Sequence, residues 1–325
     1  MPSEYYLNGQ ALSAFGFVAG HAPGSNLALS GAWDLPRRTG ECYHTWQEEN
    51  GVEPYVDTED MIFGPREIRL TGSIFSENRA LFRDRLEAFR TFIQALPAEF
   101  ELRCRWGRWR VNRRPKATVE VKALCAARIT LVFHEPAPDL SGTEPPQWIL
   151  ATRFWNSHGV WIDNALWYDR MKAGVWLLDT GLWNTAGVWD RNGAWYGNLR
   201  ADVDDWLWAS FGIILSDVTD VATIPAVREI NITQPAVREM LYVPGGREPR
   251  SLPLSGWLIA ADMADFERKV RSLYWLFGSA GLRRFHYQGQ TYDCFATEGF
   301  TLTEIQKREK VYAKFKIKLL ESGNE

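Results

Sequence analysis

Residues 70–93 read LTGSIFSENRALFRDRLEAFRTFI, and residues 254–277 read LSGWLIAADMADFERKVRSLYWLF. Both open on Leu, a small hydroxyl residue and Gly, then pass through apolar positions into a stretch with helical periodicity. One offset of 184 residues carries Leu70 to Leu254, Gly72 to Gly256, Phe82 to Phe266, Leu86 to Val270 and Phe89 to Leu273. In the first stretch Phe82, Leu86, Phe89, Ile93 and Leu96 step by 4, 3, 4 and 3; in the second, Phe266, Val270, Leu273 and Phe277 step by 4, 3 and 4. That is one apolar stripe of an amphipathic helix, with Arg83, Asp84, Arg85 and Arg90, or Glu267, Arg268 and Lys269, facing away. Ser76 and Asp262 are the expected N-caps, because their side-chain oxygens can accept from first-turn amides that lack a helical partner.

The match extends outward. AFGFV at 14–18 corresponds to SFGII at 210–214, at an offset of 196, so the first copy carries about twelve extra residues between the two landmarks. The polar stretch HTWQEENGVEPYVDTED (44–60) is expected to contain them as a loop. After each helix comes a strand, a tight turn and a returning strand, EFELRCRW–GRWRV and RRFHYQGQTYDCF, with Gly107 or Gly289 supplying the turn. Each copy ends in an alternating run that places Ile129, Leu131 and Phe133, or Phe315, Ile317 and Leu319, on the buried face of a strand. The fold class is therefore α+β, mainly β: two copies of a sheet or split barrel plus one helix, in the rough order β-β-β-α-β-β-β. The expected divisions are residues 1–138, a Pro-rich linker and Trp-rich segment at 139–205, and a second copy at 206–325.

Tryptophan is the outlier, with 16 in 325 residues. Seven crowd into residues 155–195, between the copies: Trp155, Trp161, Trp167, Trp176, Trp183, Trp189 and Trp195. Their near-six spacing, with Gly and Asx in each unit, suits short strands joined by tight turns, since Gly and Asn tolerate positive φ. Three uses fit such a segment: a sugar-stacking face, internal packing where short strands lack core, or contact with a partner protein.

The chemistry of catalysis is hard to find. The five histidines (His21, His44, His134, His158 and His286) make no H-x-x-x-H or H-E-x-x-H pattern, and neither a P-loop nor G-x-S-x-G occurs. DVDD at 202–205 lacks the Gly and Glu of a calcium loop and reads as a solvated turn. The four cysteines are scattered without a C-x-x-C pair, which fits a reducing compartment. No catalytic, cofactor or metal residue is expected. With a net charge of −3, the chain has no overall bias towards nucleic acid or anionic membrane. The opening MPSEYYLNGQ has no signal-peptide pattern, and no apolar run is long enough to insert in a membrane. One basic cluster stands out: Arg103, Arg105, Arg108, Arg110, Arg113, Arg114 and Lys116, without an acid among them. It reads as a nucleic-acid surface, as the polar face of a hairpin, or as an interface to an acidic neighbour.

Each copy resembles the N-terminal domain of siphophage distal tail proteins, which is related to the tail-tube fold. The residues that carry the resemblance are FGF, FGPREIRLTGSI, ENRALFRDRLEAFRTFIQAL and ITLVF in the first copy. In the second they are FGI, REPRSLPLSGWLI, MADFERKVRSLYWLF and VYAKFKIKL. The resemblance implies a non-enzymatic virion protein of the tail tip, assembled in the host cytoplasm. It implies a ring whose strands continue from subunit to subunit, neighbouring the tail tube protein and the hub or receptor-binding proteins, with DNA passing through the lumen. A second copy in place of a peripheral domain departs from the simple plan, and allows a trimer with pseudo-six-fold symmetry or a hexamer. The alternatives are a carbohydrate-binding adhesin using the Trp-rich segment, or a hydrolase of cell-wall glycan.

Overall fold

The computed structural model describes residues 4–112, 116–144, 201–204, 206–219, 221, 224–233, 240–287 and 290–322, together with short strands between 155 and 195. The architecture is α+β and strand-dominated, as expected. Two long helices lie among the described residues, α1 (Arg79–Ala95) and α2 (Met263–Gly278).

In the second half, seven antiparallel strands form one sheet. In spatial order these are Trp206–Leu207, Ala201–Val203, Arg283–Tyr287, Gln290–Lys307, Val311–Glu321, Ser251–Ala260 and Ile213–Val218. Strand Ala201–Val203 thus joins this sheet, from within the stretch read as the end of the Trp-rich segment. The first half follows the same path in two pieces. One sheet holds Gln10–Ala11, Tyr5–Leu7, Glu99–Cys104 and Gly107–Asn112. The other holds Lys116–Ala123, Ala126–Glu135, Arg66–Phe75 and Phe17–Ala19, with Leu29–Ser30 also on Arg66–Phe75. The break falls where the second half has the single strand Gln290–Lys307 and the first has two, Gly107–Asn112 and Lys116–Ala123.

Register repeats with the sequence. Phe17 faces Ile74 and Ala19 faces Gly72 in the first half; Ile213 faces Leu258 and Leu215 faces Gly256 in the second. Across the next strand Ile129 faces Gly72, and Phe315 faces Gly256. The shared glycine has a steric cause. A Cβ on Gly72 would come within 2.1 Å of the Phe17 ring, and one on Gly256 within 2.4 Å of the Ile214 carbonyl oxygen. Left-handed turns recur too: Asn8 and Asp204 have φ of 47° and 50°, and Gly16 and Gly212 have 70° and 72°.

Both helical stripes are buried as read. Phe82, Leu86, Phe89 and Leu96 are buried with Ile93 partly so, and Phe266, Val270, Leu273 and Phe277 are all buried. Asp262 is the cap of α2, its carboxylate accepting from the Asp265 amide at 2.8 Å. The α1 cap is Asn78, not Ser76: the Asn78 side chain accepts from the Leu81 amide at 2.9 Å. Ser76 still belongs to the chain leaving the sheet, with its amide on the Cys125 carbonyl and its hydroxyl accepting from Arg85. A second correction concerns Lys269, which faces inward. Its stem passes over Gly212, and its ammonium reaches the Ile259 carbonyl at 2.9 Å and Asp265 at 3.0 Å. A third concerns the first hairpin, where Arg105 and Trp106 form the turn and Gly107 begins the returning strand opposite Cys104. Gly289 lies outside the described residues.

The stretch 44–60 is not a free loop. Tyr43–His44 pairs with Glu53–Pro54, Val52 is buried, and the segment between the strands docks on the second half. One continuous apolar core runs through both halves.

Candidate functional site

The most elaborate polar arrangement lies at the seam between the halves. Segment 22–38, which follows strand Phe17–Ala19, runs along the outer edge of Gln290–Lys307. Leu35 N donates to the Phe300 carbonyl (3.0 Å), Asn26 N to Ile305 (2.9 Å) and Arg38 N to Thr297 (2.9 Å). Side chains complete the edge. Asp34 Oδ1 accepts from Leu302 N at 2.7 Å, and the Asn26 amide bonds both the N–H and the carbonyl of Lys307, at 2.7 and 2.6 Å. Strand groups that would otherwise invite another chain are thereby satisfied.

Beneath this segment lies a buried ionic cluster. Strand alternation puts Arg66 in phase with Ile68 and Leu70, and Glu135 in phase with Phe133 and Leu131, so both charges point inward. They are direct cross-strand partners. Arg66 donates to Glu135 from Nε (2.8 Å) and Nη2 (2.6 Å), and its Nη1 reaches the Tyr274 hydroxyl at 2.8 Å. The Tyr274 hydroxyl donates to the Trp33 carbonyl at 2.9 Å. Desolvation pushes the Glu135 carboxyl and the Tyr274 phenol above their ordinary values, against the pull of Arg66. Desolvation also raises Asp34 to about 6, opposed by the Leu302 amide and Arg66. Trp33 packs edge-on against Phe266 of α2 at 5.5 Å and against Trp109 at 5.8 Å.

A second contact secures the far end. The Arg228 guanidinium, buried at the base of hairpin Val227–Thr233/Met240–Arg247, donates to the carbonyls of Trp46, Glu49 and Gly51. Gly246 N donates to the Gln47 carbonyl (2.8 Å), and Gly51 N to that of Arg247 (2.9 Å). Chemically, these are groups that hold surfaces together: paired charges and satisfied backbone.

The basic hairpin meets the second half at its turn. Arg103 lies over the Tyr6 ring at 4.5 Å and Arg105 over the Trp106 ring at 3.9 Å. Lys307 also approaches the Trp106 ring, its ammonium 5.3 Å from the centroid. Arg103 is paired in register with Arg108. Arg110 is exposed and neutralised by Glu99 at 3.1 Å. A groove of about 800 Å³ separates the turn from α2, lined by Arg103, Arg105, Arg108, Met263 and Glu267 among others. The basic residues are therefore not one uniform field: Arg110 has its own acid, and Arg103, Arg105 and Arg108 face a helix bearing Glu267. Arg113, Arg114 and the side chain of Lys116 lie outside the described residues.

The Trp-rich segment forms a five-stranded antiparallel sheet of short strands, in keeping with its spacing. Trp161, Trp167, Trp176 and Trp195 occupy directly opposed positions on four successive strands. Trp155 pairs with Val160, out of phase with that row. Trp183 and Trp189 lie outside the described residues.

Asp34, Arg66, Glu135 and Tyr274 are absent from the candidate residues drawn from sequence. For Arg66 and Glu135 a signal existed: each ends an alternating apolar strand at a buried parity, with opposite charge. Asp34 and Tyr274 gave none, because their partners lie 268 and 208 residues away. Among the described residues no group of His, Cys, Asp and Glu is placed to hold a metal, and no helix is long and apolar enough to cross a membrane.

No protein-family model matches the chain, and no curated protein matches it. Among solved structures it is similar to the SPP1 Dit protein, described as a paradigm of the hub adsorption apparatus in phages infecting Gram-positive bacteria. Identity is 15% over 42% of this chain, with a TM-score of 0.33. The match spans half the length of that protein, and a likeness this distant carries no argument about function.

Proposed function

We propose that the chain is a structural, non-catalytic component of a phage tail tip. It would be of the distal tail or baseplate hub type, in a ring between the tail tube and the hub or receptor-binding proteins. The observation that carries this reading is the side-by-side packing of two register-matched units through a covered strand edge. Repeated units that join edge to flank are the elements of a ring, where each neighbour covers the edge the last one leaves. An internal duplication accounts for the matched registers, and the quoted resemblance to distal tail domains supplies the setting. In that setting the protein works in the virion after assembly in the host cytoplasm, and DNA meets it only in passing through the lumen.

The test is direct. Antibody raised against the purified chain should decorate the tail tip of virions of the phage that encodes it, seen by negative-stain microscopy. Virions without decoration, and without peptides of this chain by mass spectrometry, would sink the reading.

A further inference from the structure

A cavity of about 180 Å³ lies at the seam, between α2 and the first half. One side of it is a row on α2: Glu267, Arg271 and Tyr274 step by 4 and 3, beside the stripe that α2 lays on its own sheet. The facing side comes from Trp33 and from the basic hairpin, with Trp106, Arg108 and Trp109, and Arg66 and Glu135 complete the lining.

The charges on the lining fall into two sets. Arg66 is matched by Glu135 at 2.6 Å, and Arg271 by Asp139 at 3.6 Å with the Ser141 hydroxyl at 2.9 Å. Those four cancel. Arg108 of the first half and Glu267 of the second are left over, and neither makes a hydrogen bond or ion pair with a described residue. Arg108 is exposed, but Glu267 is half-buried, and desolvation raises its carboxyl against the pull of Arg271. The Trp106 indole N–H is closed off from solvent and has no acceptor among the described residues. Polar groups withdrawn from water without a partner are costly, so this lining is short of one donor and one acceptor.

We propose that the cavity binds a small zwitterion of amino-acid size, its ammonium group on Glu267 and its carboxylate on Arg108 and the Trp106 N–H. A guest with both charges answers both unmatched residues and leaves the neutral lining neutral. A lone amine or a lone carboxylate answers one of them and adds a net charge. Size sets the upper bound, since pockets for drug-sized ligands run to roughly 300–1,000 Å³. Trp33, Trp106 and Trp109 supply apolar surface for the carbon chain between the two charges. The groove beside the hairpin turn shares Trp106, Gly107, Arg108 and Glu267 with the cavity, so the unmatched pair stands where the two spaces meet. The site is complete within one chain and draws on both halves, and a guest seated there ties them together.

The test uses the full chain with glycine, β-alanine and γ-aminobutyrate, whose charges lie progressively farther apart, and with propylamine and propionate as single-charge controls. In isothermal titration calorimetry one or more of the zwitterions should bind about tenfold or more tighter than either control. The same zwitterion should raise the melting midpoint, because it binds only the folded protein. Arg108→Gln and Glu267→Gln each remove one charge and should weaken that binding about tenfold or more, with the melting midpoint of the unliganded protein unchanged. Should Glu267→Gln fail to fold, Arg108→Gln, at an exposed position, decides.

No heat from any of the three zwitterions overturns the proposal. So does a control that binds as well as the best zwitterion, and so does binding indifferent to the substitutions. Tail-tip decoration is read independently of all these outcomes, so failure here is distinguishable from failure of the tail-tip reading.

Discussion

Helices α1 and α2 hold equivalent places in two units of matched register, yet α1 buries three residues and α2 nine. The common part is the stripe, Phe82, Leu86 and Phe89 against Phe266, Val270 and Leu273, which each helix lays on its own sheet. Of the additional buried residues on α2, Lys269 and Phe277 are covered by its own unit, at Gly212 and at Trp208 and Phe300, whereas Tyr274 is covered by the other half. Trp33 of the first half packs on Phe266, and Tyr274 reaches over to bond the Trp33 carbonyl and Arg66. The strand edges show the same asymmetry, Gln290–Lys307 sheathed by segment 22–38 and Lys116–Ala123 bare. Periodicity settles the common stripe, and the neighbouring half adds the burial of Tyr274 and of the edge of Gln290–Lys307.

The largest test of that division is a charge beneath each helix. Val270→Asp and Leu86→Asp each place an unpaired carboxylate in a core, a penalty of several kcal/mol. Val270→Asp should abolish cooperative melting of the second half, and Leu86→Asp that of the first, followed by circular dichroism and calorimetry. Wild-type melting of either would remove the equivalence of the helices.

The seam comes next. Arg66→Ala leaves Glu135 buried and alone, and should cost about 3–5 kcal/mol in denaturant unfolding. The double variant Arg66→Met, Glu135→Leu should recover most of that loss, because two apolar side chains need no compensating charge. Failure to recover would mean that the ion pair itself positions the halves.

A smaller, pH-dependent effect belongs to Asp34. Burial raises this carboxyl to about 6, so the folded protein holds the proton more tightly than the unfolded chain does. Its stabilising contribution is then complete below the ordinary Asp value of about 4 and is lost as pH rises through about 6. Asp34→Asn keeps an acceptor for the Leu302 amide and should melt above wild type at neutral pH. The gap should close as pH falls from about 6 towards about 4. A gap constant with pH would show that Asp34 is not the group titrating in the seam.

The caps give the smallest difference. Asn78→Ala and Asp262→Ala should each cost about 1 kcal/mol, by removing the acceptor for one first-turn amide. Ser76→Ala should cost less, since the Ser76 hydroxyl serves only Arg85. Equal losses at 76 and 78 would restore the earlier helix start.

Much of the unit was legible from residues alone because its information is local. A stripe at 4, 3, 4 spacing faces one way on any helix, and Ile129, Leu131 and Phe133 share one face of any strand. The cap at Asn78 was missed because Ser76 and Asn78 are both good caps, and only the path of the chain leaving the sheet chooses between them. Sequence alone places Lys269 outward, where Lys most often lies; an inward path past Gly212 to the Ile259 carbonyl is invisible until the strands are in place. The basic run was read as one cluster, but register sets Glu99 beside Arg110 and leaves Arg103 with Arg108.

By itself the sequence determined two stretches at one 184-residue offset, each with a glycine, at 72 or 256, ahead of an amphipathic helix. Tertiary structure alone decided that segment 22–38 sheathes the second unit, that Arg66, Glu135, Asp34 and Tyr274 meet in a dry seam, and that one of two matched edges is left open. The physical reason is distance along the chain. Side-chain periodicity acts between residues a few positions apart, whereas the seam joins groups more than two hundred residues apart, and their desolvation depends on which surfaces meet.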